Sequence, residues 1–193
     1  MTSDAQARNL TLLEPLRLRD IPSDPLRFSE ALPAEWLRSS LPLDGAIQFR
    51  IAEDGSADVT VSALGPVDQR PPIRVCGRLH ADLQSDCVRC LDPVAVWLRL
   101  DLDQTLFSQD VGQTTEPEET YDGETIPLPD ILREALTLEL PMNPMCEDEG
   151  ACDARTHALL ERVNRPAEEA MARTPGADPR WAALAHLKRG QDG

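Results

Sequence analysis

No run of apolar residues in this sequence approaches the roughly eighteen needed to span a bilayer, which excludes a membrane-spanning helix. The start, Met1 to Leu10, is polar and lacks the hydrophobic core of a secretion signal, so the expected location is cytoplasmic. Positive charge is also scarce: 19 Lys and Arg stand against 34 Asp and Glu, a net charge of −15. Such a surface repels phosphate backbones, which excludes broad, non-specific nucleic-acid binding and favours capture of a basic partner. Aromatics amount to 4%. Standard catalytic signatures are missing: there is no Gly-rich phosphate loop, no H-E-x-x-H and no G-x-S-x-G. His80, His157 and His186 fall in three separate segments, and the pair Glu118-Glu119 sits in a solvated loop, so a non-enzymatic protein is expected. No internal repeat is visible.

What is present suffices for one good-sized domain plus tails: 193 residues with 41% hydrophobic content. The 17 prolines fall mostly between candidate elements and punctuate them. The negative charge is concentrated, with fifteen acids over 101–155 against Arg133 and Arg155 alone.

The pattern predicts an α+β fold built on an antiparallel sheet of two main hairpins, partly closed into a barrel, with a few short helices. Met1–Arg19 reads as an irregular first strand, and Pro33–Ser40 as a brief helix with the proline in its first turn. Ile47, Phe49 and Ile51 alternate with polar residues, Asp54-Gly55 is a turn pair, and Val59, Val61 and Ala63 alternate again. That predicts a first hairpin. The second is longer. Ile73, Val75, Gly77, Leu79, Ala81 and Leu83 share one face, and Val94, Val96, Leu98, Leu100 and Leu102 line the return strand. Residues 109–124 are expected to form an acidic, mobile loop. Helices are expected over Pro129–Leu140, stopped by Pro141, and over Ala154–Asn164. The expected domain is 1–164. Beyond it, 165–193 reads as a linker and a short amphipathic helix carrying Trp181 and Leu184, able to dock on its own domain or on a partner.

Five cysteines in a reducing compartment point to thiols or metal ligands in preference to disulfides. Cys87-Val88-Arg89-Cys90 falls at the tip of the long hairpin, and a C-x-x-C on a tight bend is half a tetrahedral zinc site. Cys146 and Cys152, separated by five residues, can supply the other half, which gives the candidate metal ligands Cys87, Cys90, Cys146 and Cys152. The alternative is four reduced cysteines that only pack. A redox role would need a helix N-terminus at the C-x-x-C, where a turn is predicted instead. Cys76, mid-strand, reads as a passive small residue.

The segment Val75–Pro93 resembles the bacterial YceD family of large ribosomal RNA subunit accumulation proteins. Val75 and Gly77 match its V-x-G strand, and Cys87, Arg89, Cys90, Leu91 and Pro93 its C-x-R-C-L-x-P. Glu134, Leu140, Pro141, Pro144 and Cys146 match its acidic helix closing in L-P-x-x-P-x-C, and Asp178–Leu187 its closing D-P-R-W-A-A-L-x-x-L. Many relatives continue with G-L-C-P-x-C-G. Here Gly150, Ala151 and Cys152 keep the first part, while Asp153 and Arg155 replace the proline and second cysteine. The resemblance implies a role in producing or stabilising large-subunit (23S) ribosomal RNA, without enzymatic activity.

A second candidate surface lies on the polar face of the long hairpin. If the hairpin is regular about its tip, Arg78 stands opposite Arg99 and His80 opposite Trp97. Arg74, Arg78, His80, Trp97 and Arg99 would then form an RNA- or anion-contacting patch. The competing reading pairs the arginines with Asp82, Asp101 and Asp103 on the same face. Three functions are weighed: an assembly factor acting on 23S ribosomal RNA or the pre-50S particle, an acidic chaperone for a basic large-subunit ribosomal protein, and a metal-dependent nuclease.

Overall fold

Two-residue alternation dominates the middle of the chain, and there the backbone is extended. The structure, a computed structural model, describes residues 10–43, 45, 47–51, 53–109 and 120–173, with side chains as far as 165. Its elements are β1 (Leu16–Arg17), β2 (Leu26–Leu32), α1 (Ala34–Ser40), β3 (Phe49–Ile51), β4 (Gly55–Ala63), β5 (Ile73–Asp86), β6 (Pro93–Ser108), β7 (Thr120–Tyr121), β8 (Thr125–Ile126), α2 (Leu128–Glu139) and α3 (Glu149–Arg173). Short 3-10 turns occupy Leu18–Asp20 and Val67–Gln69. The class is α+β with a mostly antiparallel sheet, as the alternation implies. The chain divides into two compact units, Met1–Met145 and Cys146–Gly193.

In the first unit, the main sheet runs β2-β4-β5-β6-β7, with β3 also paired to β5. β5 is the shared strand. Along one edge it pairs with β4 from Ile73 to His80 and with β3 from Leu83 to Ser85; along the other it pairs with β6 throughout. β6 and β7 run parallel, and β1 and β8 form a separate antiparallel pair. The described strands do not close into the expected barrel: β2 and β7 end the sheet.

The expected faces are correct. Ile73, Val75, Leu79, Ala81 and Leu83 of β5 and Val96, Leu98 and Leu102 of β6 are buried, joined by Ile131, Leu132 and Leu136 from α2 and Leu37 from α1. Burial of this stripe at helical spacing is what holds α2, and Pro141 ends the segment as expected.

The first hairpin is not formed. β3 pairs with β5, Phe49 opposite Ser85, while β4 pairs with β2 and β5. Asp54 is spent otherwise: its carboxylate accepts the Ala34 backbone N–H at 2.7 Å and caps α1, and Gly55 is already a strand residue opposite Leu32. Within the expected acidic loop, Thr120 and Tyr121 form β7, and Tyr121 is buried with its hydroxyl donating to the Pro71 carbonyl at 2.7 Å. Residues 110–119 lie outside the described residues. So do Met1–Asn9 and the C-terminal segment Asp178–Leu187.

The second unit contains α3. It starts before the expected Ala154 and runs through the expected linker to Arg173, because residues 167–173 are almost all strong helix formers. No helix among the described residues is long and apolar enough to cross a membrane.

Candidate metal centre

The bend between β5 and β6 is six residues long, Cys87 to Asp92, and it is closed by its own backbone. The Cys87 N–H donates to the Asp92 carbonyl at 2.8 Å, and the Leu91 N–H donates to the Cys87 carbonyl at 2.9 Å. Leu91 takes the left-handed conformation, φ 63°, needed to turn the chain back after Cys90. Val88 donates its N–H to the Pro144 carbonyl at 3.0 Å, which brings the segment just ahead of Cys146 to this knuckle. At its base, Arg50 from β3 grips Asp86 at 2.6 Å, and this hydrogen bond holds the Asp86 carboxyl below the usual aspartate range.

The second pair of thiols is placed by the start of α3. The Asp148 carboxylate accepts the Ala151 N–H at 2.9 Å, and the Asp148 carbonyl accepts the Cys152 N–H at 3.0 Å. This N-cap is why the helix begins ahead of Cys152, putting that thiol in the first turn, where the helix dipole favours negative charge. Arg155, one turn on, sets its guanidinium 3.2 Å from the Cys146 Sγ.

The four sulfurs, of Cys87, Cys90, Cys146 and Cys152, all lie within 4.8 Å of one another. Three are buried and Cys146 is half-buried. A tetrahedral Zn–S₄ site with bonds of about 2.3 Å has S···S edges of roughly 3.8 Å. The donor number, chemistry and spacing fit, so the four close cysteines could hold a metal ion. Cys76 stands apart, between Thr60 and Asp103 in register. Sequence reasoning missed the capping by Asp148 and the Arg155–Cys146 contact, although an Asp immediately ahead of Glu149 is a recognisable helix-start signal.

A model of the family described as "Large ribosomal RNA subunit accumulation protein YceD" matches residues 75–188, well over half of the chain. The chain belongs to the YceD family. Uncharacterized proteins of Mycobacterium tuberculosis, from two strains, and of Mycobacterium bovis are each 31% identical to it over 121 residues. The match covers 60% of this chain and 55% of each of theirs, so this chain spans about half the length of the curated relatives it matches. No solved structure matches.

On the polar face of the YceD hairpin the expected register is wrong by two residues. Arg78 is opposite Asp101, His80 opposite Arg99, and Trp97 opposite Asp82. The reason is the six-residue knuckle, which starts pairing at Asp86–Pro93 and shifts every later pair. Arg74 holds Asp103 through two hydrogen bonds of 2.8 Å, and His80 lies 2.9 Å from Asp82. Arg78 and Arg99 line an open cavity of about 440 Å³ together with Asp58 and Asp101. Trp97 is exposed.

Proposed function

We propose that this chain is a non-enzymatic factor in ribosome biogenesis, acting in the cytoplasm to support synthesis, processing or accumulation of large-subunit (23S) ribosomal RNA on the pre-50S particle. The observation that carries this reading is the family match, whose description names large-subunit ribosomal RNA accumulation. In this reading Cys87, Cys90, Cys146 and Cys152 hold a structural zinc ion. Four thiolates leave no open coordination position for a substrate, and the metal supplies folding free energy instead of chemistry. The RNA-facing group is Arg74, Arg78, His80, Trp97 and Arg99. Arg74 already holds the Asp103 carboxylate, so Arg78 and Arg99, which line the open cavity, carry that contact.

A second reading rests on the fifteen acids of residues 101–155: a chaperone that captures a basic large-subunit ribosomal protein by electrostatic steering. Sedimentation of the tagged protein, with sequencing of bound RNA and mass spectrometry of bound protein, separates the two. Co-sedimentation with pre-50S particles supports the first. Recovery of one basic ribosomal protein without RNA replaces it with the second. RNA cleavage that stops on metal removal from a still-folded protein would overturn both in favour of a nuclease.

A further inference from the structure

Away from the cysteines, the first unit has a larger concavity that the reading above does not use. It is an open cavity of about 840 Å³, and its lining includes Arg17, Arg19, Arg70, Asp68 and Glu124. Three guanidinium groups around one concavity are notable in a chain of net charge −15. That volume is in the range of small-ligand sites, roughly 300–1,000 Å³.

The backbone fixes the wall. Arg17 is paired with Thr125 in the β1–β8 ladder, and the next residue, Leu18, donates its N–H to the Glu124 carbonyl at 2.8 Å. Arg70 ends the 3-10 turn Val67–Gln69 in the left-handed conformation, φ 49°. Its side chain runs across Gly123: a Cβ there would stand 3.1 Å from the Arg70 Cδ and 3.2 Å from its Nε. Gly123, at φ +85°, therefore keeps the space that Arg70 fills. The backbone N–H groups of Glu124 and Thr125 hold the neighbouring Asp122 carboxyl low, and the Arg70 charge adds to that effect. Arg17 and Arg19 are exposed and form no ion pair among the described residues.

The two carboxylates on the same wall narrow the choice of ligand. They disfavour a bare anion and can accept hydrogen bonds from ribose hydroxyls or base amino groups. Guanidinium groups bind phosphate oxygens through paired N–H donors. We infer that this cavity binds a segment of single-stranded RNA, with Arg17 and Arg19 on its phosphates and Asp68 and Glu124 accepting from sugar or base. The inference rests on the reading that the protein works on RNA, and it adds a second place of contact, apart from Arg78 and Arg99, and the chemistry of that contact.

The test uses the full chain, a short single-stranded oligoribonucleotide, and the same sequence as DNA, with binding measured across a salt series. The double substitution Arg17→Ser/Arg19→Ser alters only exposed side chains, and an unchanged thermal melt checks its fold. Expected are weaker binding by about tenfold, a salt slope reduced by about 1.4 on removing two phosphate contacts from a single strand, and preference for RNA over DNA. Equal affinity of the native protein and the double variant overturns the site, as does failure of the native protein to bind the oligoribonucleotide. Sedimentation of both proteins separates this from the broader reading. Native and variant protein co-sedimenting equally with pre-50S particles removes the site and leaves the ribosomal role. Arginine-dependent oligonucleotide binding without any co-sedimentation leaves the site and removes that role.

Discussion

At Gly77 the strands β4 and β5 approach so closely that a side chain has no place. A Cβ there would collide with the Asp58 carbonyl oxygen and lie 2.7 Å from the Val59 Cα, both main-chain atoms that cannot rotate away. Gly77→Ala should therefore destabilise by about 2 kcal/mol or more, read from the midpoint of urea unfolding. Leu91 is the opposite case, an exposed side chain on left-handed backbone. Leu91→Gly should leave stability within about 1 kcal/mol of the parent or raise it, since glycine adopts that conformation without steric cost. A large loss would show the leucine packs in a way its exposure does not suggest. The acid limb of stability belongs to this scale as well. Asp122 accepts the N–H groups of Glu124 and Thr125 at 2.8 and 2.6 Å, and these bonds hold its carboxyl below the ordinary value of 3.8. Its contribution is complete above that value and is lost as the pH falls through the lower folded-state value. A thermal-melt series from pH 6 to pH 2 should show Asp122→Ala less sensitive to acid than the parent.

Among the elements, the knuckle between β5 and β6 decides most. If zinc closes it, Cys87→Ser and Cys152→Ser should each abolish stoichiometric zinc and lower the melting temperature by on the order of 10 °C, whereas Cys76→Ser should do neither. Metal analysis and calorimetry of the three variants check this. Equal zinc content in all three would remove the site. The knuckle also explains which parts of the hairpin were legible in advance. The faces of β5 and β6 follow from alternation and do not depend on the bend. The cross-strand partners depend on how many residues the bend takes, and here Leu91 and the Cys87–Asp92 closure set that number. The short hairpin expected at Asp54-Gly55 fails to form for a related reason. Asp54-Gly55 is a good turn signal, but a residue distant in sequence, Ala34, claims the Asp54 carboxylate, and no local pattern reports a partner twenty residues away. The thiol set was readable by residue type alone, because the structure draws together all four cysteines that stand at the bend and after α2.

For the whole molecule the charge is uneven, fifteen acids standing against two arginines over residues 101–155. If the partner is a basic protein, Glu134→Gln/Glu139→Gln/Glu147→Gln should slow its capture several-fold at low salt, with the difference fading as ionic strength shortens the screening length. Stopped-flow binding over a salt series measures it, and a rate unaffected at low salt would point to a contact elsewhere. Composition made this charge balance plain. It could not show that Arg70 borders one concavity with Arg17 and Arg19, some fifty residues earlier in sequence: the pairing of β1 with β8 brings Gly123 and Glu124 beside Arg17, and the Arg70 side chain crosses Gly123. A last consequence follows from β5, the longest stretch of which is bonded along both edges, to β4 or β3 on one side and to β6 on the other. Its amide protons can reach solvent only when neighbouring strands part on two sides, so hydrogen–deuterium exchange at Val75 to Leu79 should report global unfolding. Protons on β2 and β7 should trade within local fluctuations, long before the centre opens.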